Sequence, residues 1–121
     1  MKPTEVEIAR AKSEVLRRER VLLVPQFEAI AAEFGQTMRV TVTDKRSVIG
    51  EVDQPGRQWP LVYRLRGAYR WVIEPTSDPF FASGITDVVE AWTEACSKWF
   101  GPRQSVVDQL VAEMTETGKQ S

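Results

Sequence analysis

Between Thr37 and Glu74 the apolar residues recur at every second position, and on either side of that stretch they recur every three or four. Successive side chains of a strand point to opposite faces, whereas a helix brings residues three and four apart onto one face. The chain therefore reads as helix, then sheet, then helix. Met38, Val40 and Val42 alternate with Arg39, Thr41 and Thr43, and after Asp44, Lys45 and Arg46 the segment Val48 to Val52 resumes the pattern. A loop over those three residues sets Val42 opposite Val48 and Val40 opposite Gly50, which collects the valines on one side of a hairpin. Gln54, Pro55 and Gly56 supply a turn, and a second pair of strands follows on either side of Gly67.

The register of that second hairpin decides what its arginines can do. A two-residue turn at Gly67 and Ala68 would set Arg66 opposite Tyr69 and Arg64 opposite Trp71, a mixed cationic and aromatic ladder able to stack bases. A loop of odd length instead gathers Leu61, Tyr63, Leu65, Tyr69, Trp71 and Ile73 on one face. Arg64, Arg66 and Arg70 then share the other face with Val62 and Val72. Burial of one sheet face favours the odd register, because a slip by one residue would place arginine in the core.

Before the sheet, Ile8, Ala11, Val15, Leu22 and Leu23 fall near one helical face, with Thr4 as a start signal. Pro25 predicts a break or a kink, since a proline inside a helix loses a hydrogen bond and clashes with the preceding turn. The spacing Leu23, Phe27, Ile30, Phe34 nevertheless carries the stripe onward to Gly35, a left-handed stop. After the sheet, Pro75 to Gly84 reads as a loop. Ile85, Val88, Val89, Trp92, Cys96, Trp99 and Phe100 then predict a helix closed by Gly101. A final helix opens at Pro102, carries Val106, Val107, Leu110, Val111 and Met114, and ends near Gly118.

This order predicts a single α+β domain: 1–35 helical with a kink or break near Pro25, 37–74 a four-stranded antiparallel meander, 75–84 a loop, and 85–118 a helical hairpin, the two C-terminal helices packed on one sheet face. Four strands about 4.8 Å apart make a sheet about 19 Å wide, which seats two helices about 10 Å across. Three or four helical pieces exceed that space. The surplus stripe has to pack on another helix, cover the second sheet face, or meet a partner chain.

Composition narrows the chemistry. With 121 residues, 42% of them hydrophobic, the chain has enough material for one core. The longest apolar run, Val21 to Val24, is far short of a membrane span, and no signal segment is visible, so a cytoplasmic location is expected. There is no histidine, and Cys96 is the sole cysteine. The commonest general base and the commonest transition-metal ligand are thereby missing, and no internal disulfide can form. A non-enzymatic protein without cofactor or metal is expected. Charge is uneven along the chain: residues 35–74 hold seven bases against four acids, and residues 75–121 hold three against seven.

The candidate sites follow from these limits. Trp59, Phe80 and Phe81 lie in or near loops, and Val107, Leu110 and Met114 mark the surplus stripe; together they are the candidate partner-binding residues, since exposed aromatic and apolar anchors dominate protein interfaces. Arg64, Arg66 and Arg70 are the candidate nucleic-acid contacts, although the slightly negative net charge of −1 argues against a strong one. Asp87, Glu90 and Glu94 share a helix face but read as its wet side, as do Glu113 and Glu116. Cys96 falls on an apolar stripe between tryptophans and reads as a buried thiol. The expected function is attachment to another protein or to a second copy, in the manner of a small regulator, inhibitor, chaperone or assembly factor. The alternative is a nucleic-acid binder, and an enzyme or ligand site hidden between sheet and helices is a third reading.

Overall fold

The computed structural model describes residues 4–68, 70–76 and 84–119, with side chains to Glu116. It is an α+β fold of four helices and one four-stranded antiparallel sheet. Helix α1 (Glu5–Leu22) begins at Thr4, whose hydroxyl accepts from the Glu7 N–H while the Glu7 carboxylate accepts from the Thr4 N–H, at 3.2 and 3.3 Å. This reciprocal cap satisfies two donors that the first turn leaves open. The proline resolves as a break: the chain turns at Leu23, and α2 (Val24–Glu33) carries Pro25 in its first turn, where a missing N–H costs nothing. Gly35, at φ 80°, stops α2, with its N–H donating to Ala32 O and that of Gln36 to Ala31 O.

Strands β1 (Arg39–Val42), β2 (Val48–Val52), β3 (Leu61–Arg66) and β4 (Val72–Glu74) lie in sequential order. The first hairpin has the expected register, Val42 with Val48 and Val40 with Gly50, and Arg46 takes the left-handed conformation (φ 67°) that a three-residue loop requires. The second hairpin pairs Leu65 with Ile73 and Arg66 with Val72, so its loop has odd length. The mixed ladder does not form. Gly67 is needed for another reason: its φ is 112°, and a Cβ there would lie 2.5 Å from the Arg70 carbonyl oxygen.

Alternation then sorts the sheet. Val40, Val48, Val52, Leu65 and Ile73 are buried on one face, and Trp71 joins them from the loop. Helix α2 lies against β1 and against α3 (Val88–Phe100), and these two helices fill the sheet's apolar face. Phe27 and Trp92 meet with ring centroids 5.4 Å apart, and Trp92 Nε1 donates to the Phe27 carbonyl at 3.0 Å. At the other end of α3, Trp99 and Phe100 pack on Tyr63 of β3, at 5.1 and 5.0 Å. Helix α3 starts three residues after Ile85, because the Asp87 carboxylate caps it by accepting from the Glu90 N–H at 3.2 Å. Ile85 is still used, as its carbonyl accepts from Trp71 Nε1. The last helix, α4 (Gln104–Lys119), follows Gly101.

Gly50 is the tight point of the sheet, since a Cβ there would overlap Met38 Sδ and lie 2.8 Å from its Cγ. Gly50→Ala is therefore expected to destabilise the protein by about 1–3 kcal/mol, the usual cost of overpacking. Combining it with Met38→Ala, which removes the side chain that the new Cβ meets, should cost less than the sum of the two single losses, as measured by urea unfolding of the three variants.

Candidate functional site

Two of the four helices are left over once the sheet is covered. Helix α4 is rooted beside the end of α2: the Arg103 guanidinium lies 3.7 Å from the Glu33 carboxylate and 5.7 Å over the Phe34 ring. Beyond that root its apolar stripe is open. Val106, Leu110 and Met114 follow one another by one helical turn, with Val107 and Val111 alongside, so the five share a face. Val107 is half-buried, whereas Leu110 is 56% and Met114 66% exposed.

Helix α1 shows the same condition. Its last turns reach the sheet, but residues 4–12 are all exposed. Ile8, Val15, Leu16 and Leu22 present apolar surface, Leu22 at 81% exposure. A shallow depression of ≈ 520 Å³ is lined by Ile8, Ala11, Lys12, Val15 and Leu16, and a second of ≈ 290 Å³ by Arg17, Arg18, Val21 and Leu22. Arg17 and Arg18 both donate to Glu14, and these bonds hold the Glu14 carboxyl down at about 2. At 1.5 Å per residue the 18-residue α1 is about 27 Å long.

A buried arginine bonds α1 to the loops of the sheet. Arg20 is buried, and its guanidinium donates to the carbonyls of Arg46 and Gly67, at 2.6 and 3.0 Å, while lying 5.1 Å over the Trp71 ring. It thus ties α1 to both hairpin loops at one end of the sheet. Burial, and then the Arg46 charge, lower its pKa from the ordinary value. Sequence patterning missed this role, since nothing in periodicity separates Arg20 from its exposed neighbours Arg18 and Glu19.

The sheet arginines come together on the uncovered face, but beside acids. Arg64 and Arg66 both approach Glu74, at 3.7 and 3.6 Å, and Arg39 bonds Asp53 and Glu51, at 2.6 and 3.3 Å. Glu74 stands directly opposite Arg64, so the pairing is built into the register. Arg70 is exposed in the β3–β4 loop. A phosphate would have to compete with carboxylates already in place.

Of the loop aromatics, Trp59 is 72% exposed, in the connection between β2 and β3, while Phe80 and Phe81 lie outside the described residues. Asp87 serves as a cap and does not form a cation site with Glu90 and Glu94; among the described residues no group of three or more acidic or cysteine side chains could hold a metal. Burial pushes the Cys96 thiol up to about 12. A thiol-reactive dye at pH 8 should leave the native protein unlabelled and react with one thiol per chain in denaturant.

Arg20→Met is expected to remove the charged donor from the part-buried bonds to the Arg46 and Gly67 carbonyls, lowering stability by about 1–3 kcal/mol in chemical unfolding. Arg20→Lys, which donates from a single atom, should recover part of that loss. Comparison with models of known protein families, with curated proteins and with solved structures finds no match, so what the chain does is read from these surfaces alone.

Proposed function

We propose that the protein is a small non-enzymatic binding protein of the cytoplasm, which attaches to another protein chain through the apolar stripes of α1 and α4. The observation that carries this reading is the pair of amphipathic helices whose apolar faces find no partner within the described fold. Full burial of a valine, leucine or methionine side chain contributes roughly 1.5–3 kcal/mol. The exposed part of each stripe residue is therefore worth on the order of 1 kcal/mol, available only when a second surface arrives. Contiguous apolar surface of this kind marks interaction sites in proteins that otherwise bury such residues.

Two further features agree. Trp59 stands exposed at the same end of the sheet as the root of α4, since β2 ends there beside the start of β1. Tryptophan is enriched among the side chains that anchor interfaces. The sheet arginines, by contrast, are matched by Glu51, Asp53 and Glu74, which leaves the uncovered face without the basic excess that nucleic-acid binding draws on. The lack of histidine and the protonated, buried Cys96 leave the commonest nucleophile and base arrangements without members.

The test is a photo-crosslinking amino acid placed at position 110, at position 15, and at position 53 on the uncovered sheet face as a control. In intact cells, discrete protein adducts are expected from positions 110 and 15 and not from 53. Adducts absent from 110 and 15, or equally abundant from 53, would overturn the reading.

A further inference from the structure

We infer that the occupant of these stripes is a second copy of the same chain, with α4 of each protomer seated on α1 of the other in a two-fold dimer. The inference rests on the reading of α1 and α4 as docking surfaces, and adds to it the identity of the partner and the pairing.

Charge selects the pairing. Helix α4 carries three acids, Asp108, Glu113 and Glu116, against one base, Lys119. By helical spacing Asp108 and Glu113 border its apolar stripe on either side. Helix α1 carries five bases against four acids, one of the bases, Arg20, being buried; Lys12 edges one of its apolar depressions, and Arg17 and Arg18, which also bond Glu14, edge the other. An α4 packed on α4 would bring its acids against the same acids of the other copy, whereas the exposed charges of α1 are balanced. The crossed pairing instead sets the acids bordering the α4 stripe against Lys12, Arg17 and Arg18 at the edges of the α1 depressions, and such matching suppresses wrong partners as well as favouring the right one.

Area selects the closure. At about 25 cal/mol per Å², the burial energies of aliphatic side chains correspond to roughly 60–120 Å² each. Scaled by their exposures, the two stripes together offer on the order of 400 Å² of apolar surface per chain. Homodimer interfaces are about 65% apolar, which brings the full interface to roughly 600 Å² per partner, or about 1,200 Å² in total. That reaches the lower edge of a stable specific interface. A single α1–α4 contact supplies only half and falls in the range of adventitious contacts. Both contacts are therefore needed, and a two-fold axis forms both at once.

The experiment is disulfide trapping. Cysteine is introduced singly at Ile8, Val15 or Leu22 of α1, and singly at Val107, Leu110 or Met114 of α4; Cys96 remains, since it is buried. Each variant is oxidised alone and in equal mixture with a variant of the other helix, and the unmodified protein is weighed by light scattering across a concentration series. The expected result is a covalent two-chain species in at least one mixture, little in either variant alone, and a mass rising to that of two chains. Covalent dimers from α4 variants alone, or from α1 variants alone, would overturn the crossed pairing. A mass of one chain at every concentration with no trapped species would overturn self-association, and crosslinked adducts to a different protein at positions 110 and 15 would then leave the broader docking reading standing.

Discussion

The two hydrogen bonds from Arg20 to the carbonyls of Arg46 and Gly67 are the interaction on which the arrangement of this molecule depends. Both hairpin loops expose carbonyls at one end of the sheet, and Arg20 serves both from a single fork. Among the described residues no carboxylate pairs with it, and the guanidinium is held by backbone dipoles and by the face of Trp71. An isolated buried cation is expensive, and this one is tolerated because its plane satisfies several acceptors at once. The same bonds set the direction in which α1 leaves the sheet. They also explain why α1 meets the core at one end only.

The second structural joint is aromatic. Trp92 is fully buried between α2 and α3, donating to the Phe27 carbonyl and touching the rings of Phe27 and Trp99. Tyr63, Trp99 and Phe100 continue the chain of rings out to β3. These ring contacts help to seat α3 on the sheet. With α2 and α3 so placed, the apolar face of a four-stranded sheet is full. The openness of α1 and α4 is thus a matter of sheet width before it is a matter of function.

Most of this architecture was legible in the sequence because it rests on periodicity. The switch from period 3.6 to period two located the helices and strands, the valines set the first register, and the cost of burying Arg64 or Arg66 set the second. Pro25 announced a discontinuity but not its form, because proline suits the first turn of a helix as well as it disrupts the middle of one. Arg20 was invisible for a physical reason: its burial depends on two loops that are 26 and 47 residues away in the chain. Asp87, read as one of the wet-side acids, is exposed and has the further role of capping α3, which its position just before Val88 allows. Of the candidate partner-binding residues, Leu110 and Met114 are exposed on the apolar face that amphipathicity assigned them, Val107 is half covered, and Trp59 is open to solvent. Patterning can say that a helix has an apolar face; it cannot say which of several such faces the sheet has room for.

The cap formed by Thr4 and Glu7 has a consequence for how tightly α1 can hold anything. Among the described residues the outer turns of α1 have no packed neighbour, and the side-chain bonds within the helix are that cap and those from Arg17 and Arg18 to Glu14. A helical segment of this length held by local bonds alone is marginal in water. Any surface that settles on it must therefore also meet the ordering entropy of those turns. If α1 docks as proposed, attachment strength depends on residues outside the contact: the cap sets the fraction of time the apolar stripe exists in a dockable shape, and small changes at Thr4 or Glu7 would tune recognition without touching the occupant.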